Sequence, residues 1–153
     1  MSEINLKEVL DYVQEHIPIT VHLGAAIPRY DGSSLTVTAP LAENLNHRQS
    51  AFGGSLSAIA ILSGWALLFV KLRELGIRSR LVIQKTEFDF LAPVTDDFES
   101  LSRLPTEQKY DRFIKMLTTK GRARLVVESE VTCDGQLCGT HKGTFVAVLL
   151  TDH

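Results

Sequence analysis

The sequence predicts an α+β fold in which an antiparallel sheet wraps around one long apolar helix. Runs of alternating apolar residues follow one another with few helices between them, and strands connected in this way pair antiparallel. Asp-Gly pairs at 31–32 and 134–135 are typical of hairpin turns between such strands. Residues 51–70 carry no charge, which favours a helix that is buried on all sides.

Length and charge limit the kinds of protein that this can be. A chain of 153 residues has the size of one domain, so we expect a single domain over residues 1–153. The net charge of −2 gives no electrostatic reason to expect a nucleic-acid partner. Glu3 and Lys7 interrupt the apolar core that a signal peptide needs, so a cytoplasmic location is expected. Two cysteines are too few for a disulfide framework or a zinc site, and we predict no metal and no cofactor.

The amino-terminal part is expected to cap the core. Apolar residues recur at helical spacing over about residues 3–17, which predicts an amphipathic helix that ends before Pro18. Residues 20–29 and 34–39 alternate as strands do, and the Asp-Gly pair between them predicts a hairpin.

The charge-free segment predicts a helix over about residues 54–74, roughly 32 Å long at about 1.5 Å per residue. A membrane span is the alternative, because about 20 apolar residues can cross a bilayer. Serine and glycine residues dilute the hydrophobicity, and the flanking sequence is organised as strands and turns. These features favour a helix wrapped by a sheet, with no membrane partner.

The second half of the chain predicts most of the sheet. Strands are expected over residues 81–91 and 98–104, a short helix over 105–120, and two long strands over 122–133 and 136–150. One sheet around one helix leaves an open edge and an exposed face. Dimerisation commonly covers both, so we expect a homodimer.

A polar loop at residues 44–50 leads directly into the start of the long helix. Gly53 and Gly54 have no Cβ, so the backbone there can approach a ligand closely. The first N–H groups of a helix have no intrahelical acceptor, and they carry the positive end of the helix dipole. An oxygen that bears negative charge is therefore the expected occupant.

Six short motifs are distributed along the chain. They are Ala39-Pro40-Leu41-Ala42, Asn44-Leu45-Asn46, Phe52-Gly53-Gly54-Ser55, Gly64-Trp65, Phe90-Leu91-Ala92-Pro93-Val94-Thr95 and Cys133-Asp134-Gly135-Gln136-Leu137-Cys138. Taken together, from about residue 19 to residue 150, the chain resembles the hot-dog fold, in which a sheet wraps a central helix and acyl thioesters are handled at a dimer interface. It is most similar to a small bacterial family described as thioesterases, which occurs alone or as the C-terminal half of an acetyltransferase fusion.

The resemblance implies an activity. Members of this family are understood to decarboxylate malonyl-acyl carrier protein to the acetyl thioester, which feeds the initiation of fatty acid synthesis. Their catalytic residue is the loop asparagine that corresponds to Asn46. The implied partner is acyl carrier protein or coenzyme A, either of which carries the substrate on phosphopantetheine.

The helix start favours decarboxylation over hydrolysis. Hot-dog thioesterases of the phenylacetyl-CoA type have a histidine where Phe52 stands and an aspartate at the position of Ile61, and this chain has neither. Hydrolysis needs a base to activate water, whereas loss of carbon dioxide mainly needs donors for the enolate oxygen. The N–H groups at 53–55 can supply those donors, and Asn46 can bind the departing carboxylate or the thioester carbonyl.

The predicted site follows from these arguments. The predicted catalytic residues are Asn46, Gly53 and Gly54, and the predicted substrate-binding residues are His47, Phe52, Ser55, Arg122 and Arg124. The two arginines belong to a basic cluster that suits the phosphates of coenzyme A or an acidic carrier protein, although such clusters are commonly solvated faces.

Three alternatives remain open at this point. Asn46 can be a turn residue that bonds its own backbone. The protein can be a hydrolase in which His47, Glu87 or Asp89 activates water. It can also be a non-catalytic module for acyl binding or dimerisation.

Overall fold

The computed structural model describes residues 4–151, and it has one six-stranded antiparallel sheet around a central helix. The elements are α1 Leu6–His16, α2 Ile19–His22, β1 Ala26–Tyr30, β2 Ser34–Ala39, α3 Gly53–Glu74, β3 Ser79–Phe90, β4 Phe98–Arg103, α4 Glu107–Lys120, β5 Arg122–Cys133 and β6 Gln136–Leu149. The strand order is β1-β2-β4-β5-β6-β3. The predicted α+β hot-dog architecture is confirmed.

The core lies between the sheet and α3. Along α3 the side chains of Ile59, Leu67 and Leu68 are fully buried. Gly64 lets the helix approach the sheet closely, because a Cβ there would lie 2.9 Å from the Phe145 ring. The helix is long and apolar enough to cross a membrane, but 67% of its most apolar window is buried within this fold. Burial by the sheet therefore accounts for its lack of charge.

The predicted strand over residues 20–29 is wrong in its first part. The short helix α2 occupies Ile19–His22, and strand β1 begins only at Ala26. Pro18 adopts helical backbone angles and the Thr20 hydroxyl donates to the Ile17 carbonyl, so the chain turns here instead of extending. The first helix is observed at Leu6–His16, and residue 3 of its predicted range lies outside the described residues.

The strands β5 and β6 form a long hairpin, as predicted. Asp134 and Gly135 both have positive φ, 51° and 76°, which a tight two-residue hairpin turn requires. Cys133 and Cys138, at this end of the hairpin, are free and buried. The register of β4 covers only Glu128–Thr132 of β5, and α4 packs beside the remaining part.

Strand β3 is an edge of the sheet. It pairs with β6 on one side over Ser79–Phe90 and has no strand on the other side among the described residues. An edge of 12 residues without proline is a ready template for pairing with another chain.

Candidate functional site

The amino end of α3 leaves two N–H groups for a ligand. The helix begins at Gly53, and its N-cap Phe52 provides no side-chain acceptor. The N–H groups of Ser55 and Leu56 donate to the Phe52 carbonyl at 2.9 and 3.2 Å. Among the described residues, no acceptor pairs with the N–H groups of Gly53 and Gly54. Both N–H groups therefore lie unpaired at the positive end of the helix dipole, where an oxygen that bears negative charge would be stabilised.

Two exposed aromatic rings frame this helix start. A Cβ at Gly53 would lie 3.2 Å from the Phe90 ring, and a Cβ at Gly54 would overlap the Phe52 ring. Phe52 and Phe90 are each 58% exposed, and the neighbouring Leu91 is 56% exposed. The absence of a Cβ at the two glycines thus leaves room for the aromatic rings to pack against the helix start, and for a ligand to approach its backbone. An apolar rim around two free donors suits a thioester carbonyl next to its chain.

The side chain of Asn46 closes the loop that precedes α3. Its Oδ1 accepts from the N–H groups of Arg48 and Ser50 at 2.8 and 3.2 Å. Its Nδ2 donates to the Ser50 hydroxyl at 2.9 Å and to the Ala51 carbonyl at 3.4 Å. Asn46 therefore has the turn role that its residue type allows, and the longest of these bonds is the easiest to exchange for a substrate oxygen.

Ser55 differs from the sequence-based expectation in the donor that it offers. The N–H of Ser55, expected to be available for substrate, is already bonded to Phe52, so the free donors are those of the two glycines. Ser55 is itself buried. His47 is exposed at the loop tip, next to Asn46.

Arg122 and Arg124 lie far from the loop within one chain. In the sheet register Phe90 is opposite Gly139, whereas Arg124 is opposite Val146. Seven residues of strand separate the two positions, about 23 Å. The structure therefore does not bring these arginines together with Asn46; they line a separate cavity beside α4.

The strand carboxylates considered as hydrolytic bases are engaged or exposed. Glu87 lies 2.8 Å from the Lys85 ammonium, which lowers the pKa of this carboxyl from its usual value. Such a carboxylate is a weaker base. Asp89 is exposed on the same side of the strand.

Sequence reasoning missed one polar pair. His141 is 1% exposed, and its Nε2 lies 2.5 Å from the hydroxyl oxygen of Thr86. Burial lowers the pKa of this imidazole, and its Nδ1 has no hydrogen-bond partner among residues 4–151. The sequence did contain a signal for this buried position. Gly139 and Gly143 lie two residues before and two residues after His141, so all three share one face of the strand, and the glycines leave space there for aromatic rings.

Comparison with known proteins decides the family. Residues 6–149 match the family described as "Putative thioesterase (yiiD_Cterm)". The chain belongs to this family. Its fold and an activity on acyl thioesters thus follow from the match, and the resemblance found in the sequence motifs is confirmed at this level.

Solved structures agree with the family assignment. A protein of unknown function from Chlorobaculum tepidum is 28% identical, with a TM-score of 0.89 and 93% of each chain covered. A thioesterase-like protein from Shewanella oneidensis is also 28% identical, with a TM-score of 0.84, covering 94% of this chain and 96% of the other. A thioesterase from Haemophilus influenzae, at 15% identity and a TM-score of 0.78, covers 99% and 96% and supports the fold alone.

Proposed function

We propose that this family member decarboxylates malonyl thioesters to acetyl thioesters. One observation carries the proposal: two N–H groups that have no acceptor within the described part of the chain lie at the start of a helix with no titratable side chain between Ala51 and Val70. This arrangement provides donors for a developing oxyanion and no base on the helix for activating water. Decarboxylation needs the first and not the second.

The chemistry balances with these groups. The bond between the carboxylate carbon and the α-carbon breaks, and its electron pair forms an enolate whose negative charge is on the thioester oxygen. Gly53 and Gly54 donate to that oxygen, and the helix dipole adds to the stabilisation. Carbon dioxide leaves, and the α-carbon takes a proton from water to give the acetyl thioester.

Asn46 acts on the substrate carboxylate in this proposal. Exchange of the 3.4 Å bond to the Ala51 carbonyl frees one Nδ2 hydrogen for a substrate oxygen, while the other three bonds keep the loop closed. A neutral amide binds the carboxylate without the strong attraction that a cation would add to the ground state. That matters because charge leaves the carboxylate as the reaction proceeds.

The proposal includes the partners. The substrate is carried on acyl carrier protein or coenzyme A in the cytoplasm, and the product can feed the initiation of fatty acid synthesis. A homodimer through β3 is expected, because this sheet edge has no partner strand among the described residues and the exposed apolar side chains of Phe52, Phe90 and Leu91 lie near the site.

Product analysis tests the proposal. The protein is incubated separately with malonyl-carrier protein and malonyl-coenzyme A, and carbon dioxide and the thioester are quantified. We expect equal amounts of carbon dioxide and acetyl thioester, and a rate about 10² lower for Asn46→Ala, by analogy with loss of an oxyanion donor. Gln49→Ala, an exposed change in the same loop, is the control. Free malonate and thiol, or intact substrate, would overturn the proposal.

Hydrolysis of acyl thioesters is the second candidate. It is favoured by the buried imidazole of His141 beside the hydroxyl of Thr86, because an imidazole and a hydroxyl within hydrogen-bond reach can activate a nucleophile. Release of free acid and thiol in equal amounts, from both acetyl and malonyl substrates, would select this function if Thr86→Val abolished it. A protein that binds acyl carrier without turnover would instead be a binding module.

A further inference from the structure

A cavity lined by basic and apolar side chains lies between α4 and the first half of β5. Its volume is about 570 Å³, within the range of small-molecule pockets. We name it the cationic cavity. Its basic lining residues are Lys109, Arg112, Arg122 and Arg124, and its apolar lining side chains include Phe113, Met116, Val126 and Val146.

Two local periodicities bring the four cations together. Lys109 and Arg112 are three residues apart on α4, so they share one helix face. Arg122 and Arg124 are two residues apart on β5, so they share one sheet face. Gly121, with φ of 78°, lets the chain reverse directly between helix and strand, and so places one pair beside the other.

The four cations have no carboxylate partner among the described residues. Some other exposed cations do have one: Arg103 lies 2.8 Å from Glu130, and Arg29 pairs with Glu99. The one acid that lines the cavity is Glu128, and its nearest cation is Lys142 outside the lining, at 3.8 Å. Four like charges around one recess create a positive potential that attracts an anion.

The apolar part of the lining limits the kind of ligand that would fit the cationic cavity. Met116 and Val126 are apolar side chains of this lining, and they are 44% and 46% exposed. A small inorganic anion would leave this surface in contact with water. A ligand with both an anionic head and a hydrocarbon chain would cover it.

We propose that the cationic cavity binds a free long-chain carboxylate. The hydrocarbon chain lies over Met116 and Val126, and the carboxylate is held by arginine in the paired geometry that guanidinium and carboxylate favour. This site is separate from the start of α3, because Arg124 and Val126 lie on the sheet face opposite the buried Leu125 and Val127. The proposal does not depend on the reaction at the helix. An acidic helix of a carrier protein fits less well, because it would pair with the cations without filling the recess.

Calorimetric titration with dodecanoate below its micellar concentration tests this proposal. We expect saturable binding of one dodecanoate per chain, weakened about tenfold or more in Arg112→Gln and in Arg124→Gln. Hexanoate and dodecanol should each bind more weakly, since hexanoate has a much shorter hydrocarbon chain and dodecanol has no charge. Arg29→Gln, on the distant strand β1, is the matched control and should bind as the wild type does.

Three results would overturn the proposal. The first is equal affinity for dodecanoate in wild type and Arg124→Gln, and the second is equal affinity for dodecanol and dodecanoate. The third is an acyl carrier protein that loses affinity in the arginine variants while dodecanoate does not bind. The side chains are exposed, so the thermal transition of each variant should match that of the wild type. Binding is read without activity, so failure here leaves the proposed decarboxylation untouched.

Discussion

The imidazole of His141 on β6 contacts the hydroxyl of Thr86 on the edge strand β3, with 2.5 Å between Nε2 and Oγ1. The histidine is buried and the threonine is exposed. If the Nε2 hydrogen is donated to Thr86, the threonine proton is free to point outward. The pair then offers a hydroxyl donor on the same face of β3 as the Phe90 ring.

The first prediction concerns the pH dependence of stability. Burial lowers the pKa of His141 below the unfolded value of about 6.5. The unfolded chain therefore binds a proton that the folded chain does not, and the free energy of unfolding should fall as pH drops below about 6.5. Urea unfolding at pH 7.5 and 5.5 should show this fall in wild type and a smaller one in His141→Gln. His47→Gln, at an exposed position, should behave as wild type. The same pH dependence in His141→Gln would contradict this account.

The second prediction concerns a buried cluster of serines. The Ser63 hydroxyl on α3 lies 2.9, 2.6 and 3.4 Å from those of Ser100, Ser102 and Ser129, and all four residues are buried. Ser63→Ala removes the central member and leaves buried hydroxyls with fewer partners. We expect a loss of about 1–3 kcal/mol in the free energy of unfolding, measured by urea denaturation. Ser57→Ala, at a half-buried position of the same helix, should change it by less than about 0.5 kcal/mol; equal losses would show that the cluster contributes nothing.

The third prediction tests close packing of α3 on the sheet. A Cβ at Gly64 would lie 2.9 Å from the ring of Phe145, and both residues are buried. Gly64→Ala should therefore destabilise the protein by about 1–3 kcal/mol. Phe145→Leu should reduce the cost of Gly64→Ala in the double variant, because the smaller side chain makes room for the methyl group. Additive losses in thermal denaturation would argue against this contact.

The fourth prediction separates the two roles of Asn46. Asn46→Asp keeps the acceptor oxygen for the N–H groups of Arg48 and Ser50 but loses the Nδ2 donors. We expect a melting temperature within a few degrees of wild type and a decarboxylation rate lower by about 10² or more, because a negative charge now faces the substrate carboxylate. Ser50→Ala removes one bond of the loop without changing the amide, so its rate should fall less. Rates that follow loop stability in both variants would assign Asn46 a purely structural role.

The sequence predicted those elements whose cause is local or compositional. A segment of 20 residues without charge has to be buried, and α3 is observed within one residue of its predicted start. The turn at Asp134-Gly135 was equally predictable, because few residue pairs accept positive φ twice. The strand predicted at 20–29 failed at α2, where alternation over a few residues could not be told from one helical turn.

The sequence by itself determined the long buried helix, the order of the strands along the chain and the glycine pair that opens the helix, because periodicity and residue type fix these locally. Only the tertiary structure decided which distant polar groups meet. Thr86 and His141 are 55 residues apart, and Ser63 and Ser129 are 66 apart. Alternation tells which face a side chain takes, but strand order and register decide its neighbour. For the same reason Arg124 met Lys109 and Arg112 at a separate cavity and not Asn46 at the helix start.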